Sequence, residues 1–192
     1  MPSLQSPVNL LPGDSAPNIF AQDVLGKNFD LRQEKHRFVL LAFMRYSGCP
    51  WCNLAIHRMA LEYPTFLEHN CEVVAFIQSD KESIVENIHK RHAVVPQFPI
   101  VADPRGKFYE MYGVRSSKAA LARSITKIPK WVESVSNQGF SQASIDGNLF
   151  TVPAYFLIDT RRVTIAAADY GKSFYDHDTF VTLYKDIFFR AY

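Results

Sequence analysis

Two cysteines three residues apart, Cys49-Pro50-Trp51-Cys52, are the residues of this 192-residue chain best suited by type and spacing to do chemistry. A thiol is a poor nucleophile near neutral pH, whereas a thiolate is a good one. A helix N-terminus favours the thiolate, because its first N–H groups lack intrahelical partners and its peptide dipoles add partial positive charge. Pro50 suits the first helical position, where its missing N–H costs nothing. Cys49 then lies at or beside the cap, with Cys52 one turn in, on the same face and more covered. Cys-x-x-Cys pairs at helix starts have thiol pKa values lowered from about 8.5 to roughly 3.5–7.5. The spacing therefore predicts Cys49 as nucleophile and Cys52 as resolving thiol, within reach of a disulfide after small adjustment. Arg45 adds positive field if its side chain points inward.

Two blander uses of the pair compete. Half a zinc site needs a second ligand pair, and neither Cys71, inside an apolar strand, nor the scattered histidines supply one. An inert structural pair is the other. Cys71 alone reads as core, since a free cysteine packs like a small hydrophobe. His57 lies five residues after Cys52, about 140° around a helix, and is expected to face away from the sulfurs.

The elements that position the pair follow from the hydrophobic pattern. Ile19–Val24 and Asn28–Leu31 flank a turn at Leu25-Gly26-Lys27 and read as a hairpin. Phe38–Met44 and Cys71–Ile77 are continuous apolar runs, the pattern of strands covered on both faces. Between them a helix starts at Pro50, and Pro64 is expected to kink or interrupt it. Ser79-Asp80 can cap a helix carrying Ile84, Val85 and Ile88. Phe98–Ala102 is a short strand, and Asp103–Gly106 turns into a helix with Phe108, Tyr109 and Met111. Leu121, Ile125, Ile128 and Val132 recur at helical spacing within Ser117–Val135, and the polar stretch Ser134–Asn148 reads as a loop. Tyr155–Ile158 and Val163–Ala167 form a hairpin, and Asp176 or Asp178 can cap a last helix through Phe180, Leu183, Tyr184, Ile187 and Phe188. Strands alternating with helices predict an α/β fold with a partly parallel sheet. Val152-Pro153 precedes the late hairpin, and a cis bond there would hold the Val152 backbone beside the sulfurs.

Composition narrows the function classes. The chain is 47% hydrophobic and 21% charged with a net charge of +2, which excludes disorder and gives no general case for nucleic-acid or membrane binding. Three cysteines do not make a disulfide scaffold. Met1–Leu11 has no basic residue and no apolar run of signal length. The longest apolar stretch falls far short of the about 20 residues of a membrane helix. A soluble cytoplasmic protein is expected, where a cysteine pair is a working pair rather than a permanent staple.

In this order the pieces resemble the thioredoxin fold. More narrowly, they resemble the alkyl hydroperoxide reductase C/thiol-specific antioxidant (peroxiredoxin-like) family. The resemblance is carried by Gly13-Asp14-Ser15-Ala16-Pro17 with Asp23 and Gly26, and by Phe98–Gly106 followed by Tyr112-Gly113-Val114. Phe156-Leu157-Ile158-Asp159 completes it, so that it spans roughly Leu11–Phe189. It implies one thioredoxin-like domain over residues 1–192: a central mixed sheet with helices on both faces, an N-terminal β-hairpin and a helical insertion at 116–148. It also implies a peroxide or protein disulfide as substrate, no prosthetic cofactor, and an external dithiol donor of thioredoxin or glutathione type. Two departures stand out. Typical members carry Pro-x-x-x-Thr-x-x-Cys, but Ala42 and Tyr46 occupy the proline and threonine positions here. Pro153 stands where typical members have an arginine, and this is the thioredoxin-type choice. The Tyr46 hydroxyl can partly replace the threonine, and Arg115 or Arg123 can supply a guanidinium.

The expected function is a thiol-dependent redox enzyme built on Cys49 and Cys52, with Tyr46, Pro50, Trp51, Val152 and Pro153 in support. Two alternatives stay open: a thiol–disulfide oxidoreductase without significant peroxidase activity, and a non-enzymatic redox sensor or scaffold. For the latter, the insertion and the aromatic-rich end (Phe174, Tyr175, Phe180, Tyr184, Phe188, Phe189 and Tyr192) offer a surface for a partner or a homodimer.

Overall fold

The apolar run of the sequence becomes the centre of a five-stranded sheet. The computed structural model describes residues 9–120, 139–140, 142–174 and 177. The expected helix over Ser117–Val135 lies mostly outside the described residues, and the expected C-terminal helix lies wholly outside them. Strands β1 (Phe20–Gln22) and β2 (Asn28–Asp30) form the N-terminal hairpin. Its turn uses Gly26 at φ 92°, with Asp23 Oδ1 accepting the Leu25 and Lys27 N–H groups. Strands β3 (Phe38–Phe43), β4 (Cys71–Ile77), β5 (Ile100–Ala102), β6 (Ala154–Asp159) and β7 (Thr164–Tyr170) order as β5-β4-β3-β6-β7. β3 runs parallel to β4 and antiparallel to β6, so the sheet is mixed as expected.

Every residue of β3 and β4 is buried, and side chains alternate between two cores. Leu40, Ala42, Val73, Ala75 and Ile77 face α1 (Pro50–Glu68) and α2 (Lys81–Ile84), where they meet Cys52, Ala55, Ile56, Met59 and Ile84. Val39, Leu41, Phe43, Val74 and Phe76 face the hairpin and α3 (Lys107–Met111), where Phe43 stacks on Phe76 at 4.8 Å and meets Tyr109 edge-on. Because β3 and β4 run parallel, their C-terminal ends lie together at one edge of the sheet, and α1 begins just beyond β3.

Several boundaries differ from expectation. Helix α1 continues through Pro64 without interruption. The proline removes one backbone bond, but Met59, Ala60 and Phe66 on either side are buried against the sheet, and that packing holds the helix together. Asp80 is the residue before α2, but its side chain makes no cap bond, and Ser79 turns inward instead to accept the Ser47 N–H at 2.8 Å. Helix α2 continues into a π-helical turn, Val85–His89. At α3, whose N-cap is Gly106, the Asp103 carboxylate reaches in from three residues earlier to accept the Lys107 and Phe108 N–H groups. No helix among the described residues is long and apolar enough to cross a membrane.

Candidate active site

Strand β3 delivers the chain into the segment Met44–Cys49, and α1 starts directly after it. Cys49 is the N-cap residue in extended conformation, and Pro50 takes the first helical position as expected. Both sulfurs are reduced. Cys49 is 0% and Cys52 1% exposed, so Cys52 is not the more covered of the two, contrary to expectation. The covering is a strap, residues 142–149. Its Ala143 N–H donates to the Gly48 carbonyl, Gln142 accepts the Tyr46 hydroxyl at 3.2 Å, and Asp146 accepts the Ser79 hydroxyl at 2.8 Å. The strap lies so close that a Cβ on Gly48 would overlap the Ser144 carbonyl oxygen, and one on Gly147 would overlap that of Gln78.

Arg45 is the residue whose role the sequence left conditional. It is 3% exposed and turned inward. Its Nη1 donates to Cys49 Sγ at 3.5 Å and its Nη2 to the Leu149 carbonyl at 2.6 Å, while its backbone N–H donates to Cys52 Sγ at 3.4 Å. The guanidinium carbon lies 4.2 Å from the Phe174 ring centroid, 5.2 Å from Tyr46 and 5.8 Å from Trp51. A buried cation is thus aimed at one sulfur inside an aromatic box.

The two thiols are set apart electrostatically. Burial raises Cys49, but a hydrogen bond from the Cys52 thiol, the Arg45 charge and the backbone N–H groups of Cys52 and Trp51 outweigh it and bring it down to about 7. The Cys49 sulfur makes no regular cap bond, yet those N–H groups face it closely enough to favour its thiolate. Cys52 is raised well above its ordinary value by burial and by the hydrogen bond and charge of Cys49. The pair is thus asymmetric: Cys49 gives up its proton more readily than an ordinary cysteine, and Cys52 holds its own more firmly. Cys71 is buried in β4 and raised by burial, in keeping with a core residue.

The supporting residues divide. Trp51 packs on the core beside the pair, and Pro50 fixes the helix start. The Tyr46 hydroxyl bonds Gln142 of the strap, so it fastens the cover. Val152 and Pro153 are buried one step beyond the Phe43–Ala154 pair of β3 and β6. No peptide bond among the described residues is cis, so the conditional role of a cis Val152–Pro153 bond falls away. The Val152 N–H is engaged by the Arg115 carbonyl at 3.1 Å. Val152 packs on Ala120 and Phe174, and Phe174 carries the Arg45 guanidinium, so this segment supports the site from behind the arginine. His57 meets the rings of His92 and Phe140.

Among the described residues no third His, Cys, Asp or Glu ligand joins the cysteine pair. One group with metal-ligand chemistry, Glu34, His36 and Glu72, lies near the opposite ends of β3 and β4. There Glu34 Oε1 is bonded to His36 Nδ1 and Glu72 Oε1 to the Tyr63 hydroxyl, each at 2.7 Å.

Known proteins resemble this chain in sequence over part of its length and in fold. The thiol-disulfide oxidoreductase ResA of Bacillus thuringiensis subsp. konkukian (strain 97-27) is 29% identical over 102 residues, 53% of this chain and 57% of that protein. ResA of Bacillus subtilis (strain 168) is 30% identical over 102 residues, 53% and 55% of the two chains. The chain thus spans about half the length of these curated relatives. Peroxidoxin BcpB from Mycobacterium tuberculosis has the same fold, with a TM-score of 0.64 at 15% identity, covering 91% of this chain and 96% of that one. Peroxiredoxin Q of Xanthomonas campestris gives 0.65 at 12% identity over 98% and 100%. The family pattern of AhpC/TSA matches residues 12–167, and with a thioredoxin-like sheet carrying a Cys-x-x-Cys pair at the start of α1, the chain belongs to the AhpC/TSA family.

Proposed function

We propose that the protein is a thiol-dependent redox enzyme in which Cys49 attacks a peroxide and Cys52 resolves the product. The observation that carries this reading is the asymmetry of the pair. Arg45 Nη1 stands 3.5 Å from Cys49 Sγ, and Cys49 is lowered to about 7 while Cys52 is raised. The Cys49 thiolate attacks the distal peroxide oxygen, the O–O bond breaks, and Cys49 becomes a sulfenic acid while the alkoxide leaves and takes a proton. Arg45 is placed to stabilise the developing charge. Cys52 then attacks the sulfenic sulfur and water leaves, giving a Cys49–Cys52 disulfide. An external dithiol of thioredoxin or glutathione type reduces that bond to two thiols and becomes a disulfide itself. The cycle needs no prosthetic group. It requires a compartment that keeps the pair reduced, and we propose the cytoplasm.

A second reading is favoured by the Cys-x-x-Cys pair itself and by the similarity to the ResA proteins over half their length. There Cys49 attacks a protein disulfide, forming a mixed disulfide that Cys52 releases. Peroxide consumption by the reduced enzyme, followed with and without a thioredoxin system, separates the two. Fast peroxide-dependent oxidation supports the first, and reduction of a protein disulfide without peroxide turnover supports the second. An unreactive Cys49 at pH 7 would point to a sensor or scaffold, and full activity in Cys49→Ser would refute both enzymatic readings.

A further inference from the structure

Asn53 lies one turn into α1, is 2% exposed, and grips the loop that carries Cys49. Its Nδ2 donates to the Ser47 carbonyl at 2.6 Å and to the Cys49 carbonyl at 2.9 Å, and the same Cys49 carbonyl takes the Asn53 backbone N–H at 3.0 Å. Its Oδ1 lies 2.7 Å from His92 Nε2. The direction of each bond is forced. Carbonyl oxygens only accept, so the NH₂ end of Asn53 faces Ser47 and Cys49. The amide oxygen then faces His92 and also only accepts, so His92 carries its proton on Nε2.

His92 Nδ1 is left as a bare lone pair, buried and without a hydrogen-bond partner among the described residues. Its ring centroid lies 4.7 Å from that of Phe140 and 6.0 Å from that of His57. A buried acceptor without a partner is costly, and an aliphatic side chain would fill this apolar space without that cost. The polar residue earns its place only through its bond to Asn53. Burial, with repulsion from His57, Arg91 and His89, pushes His92 down to about 4, so the ring remains a neutral donor where thiols react.

The loop needs such a hold. Gly48 has no Cβ to restrict it, and Cys49 holds an extended backbone, φ −74° and ψ 118°, that leaves its sulfur beside the Trp51 and Cys52 N–H groups favouring the thiolate. The Ser47 side chain is held separately by Ser83 Oγ at 2.9 Å and Asn87 Nδ2 at 3.1 Å, both from the α2 segment. We propose that Asn53 and His92 are positioning residues for Cys49: His92 orients the Asn53 amide, which clamps the Ser47 and Cys49 carbonyls and holds the attacking sulfur on the helix N-terminus and Arg45. This extends the reading of Cys49 as the attacking thiol.

The test is the rate of iodoacetamide alkylation of Cys49 against pH in the reduced full-length protein, with thermal unfolding recorded alongside. His92→Leu and Asn53→Leu are expected to move the Cys49 midpoint up by about one pH unit, an about eightfold slower reaction at pH 6.5. His92→Gln, whose amide can donate to the Asn53 oxygen, is expected to restore the midpoint. Should His92→Leu fail to fold, His92→Phe keeps the ring packing and takes its place. A midpoint unchanged while only the melting temperature falls would overturn the proposal, as would a rise that His92→Gln does not reverse. Alkylation requires no turnover, so a flat titration in an active enzyme rejects the clamp alone, whereas activity in Cys49→Ser rejects the functional reading instead.

Discussion

Arg45→Met tests whether the buried guanidinium is what prepares Cys49. Methionine keeps an unbranched apolar stem against Phe174, Trp51 and Tyr46 and removes the charge 3.5 Å from the sulfur. Two unit charges about 4 Å apart interact by about 4 kcal/mol at an effective dielectric of 20, which is a ceiling here because both charges are delocalised. A hydrogen bond to a charged group contributes about 1.5–3 kcal/mol, a closer measure of one N–H···S contact. At 1.36 kcal/mol for each tenfold change, the Cys49 midpoint should climb from about 7 to about 8–9. The thiolate fraction at pH 7 then drops from about half to about 1–9%, and alkylation or peroxide attack slows about 5- to 50-fold. The assay is the pH dependence of the iodoacetamide rate, checked against thiolate absorbance. Arg45→Lys should fall between, since an ammonium keeps charge but cannot serve both the sulfur and the Leu149 carbonyl as the guanidinium fork does. A folded Arg45→Met protein whose midpoint stays near 7 would refute the argument and leave the helix N-terminus and Cys52 as the whole cause.

Three other outcomes are expected. Cys52→Ala should stop the cycle after one step, so that one equivalent of peroxide leaves a dimedone-reactive sulfenic acid and no intramolecular disulfide; a normal multiple-turnover rate would remove Cys52 from the mechanism. Melting of the reduced protein should be pH-dependent in a definite direction. Cys49 is lowered from 9.0 to about 7, so its contribution is full above 9 and is lost as pH falls toward 7, and the melting temperature should rise over that window and flatten in Cys49→Ser. Cys52, raised by burial and by Cys49, opposes this only above its ordinary value. Gly147→Ala should push the strap away from Gln78 and Tyr46, with a bulky maleimide gaining severalfold on Cys49 relative to iodoacetamide; an unchanged ratio would show that the strap does not limit access.

Much of the fold was legible because its signals are local. Phe38–Phe43 and Cys71–Ile77 are apolar at every position, and only strands covered on both faces fit that pattern. Pro50 behind Cys49 marked the helix start to the residue. Pro64 does not end α1, because the cost of a proline is a local quantity whereas the burial of Met59, Ala60 and Phe66 that offsets it depends on the tertiary packing. The covering of Cys49 was invisible for the same reason. The strap is polar and reads as loop, and nothing in its composition says that it will lie on Gly48 nearly a hundred residues away.

The family departures acquire a physical sense from Arg45. With Pro153 where typical members have an arginine, the cation beside the Cys49 sulfur comes instead from Arg45, just after β3. A side chain there can reach Cys49, four residues on, only if the intervening loop folds back, and Ser47 and Gly48 are held in that fold by Asn53, Ser79 and the strap. Tyr46, at the threonine position, uses its hydroxyl to fasten the cover through Gln142. Arg45 and the strap thus give each of the two departures a structural counterpart. Arg45 also ties reactivity to closure, because the Leu149 carbonyl that holds Nη2 belongs to the strap itself. Opening the strap to admit a large substrate would release one of the two bonds that aim the guanidinium at Cys49, so the pair should be most reactive toward oxidants small enough to enter with the strap in place.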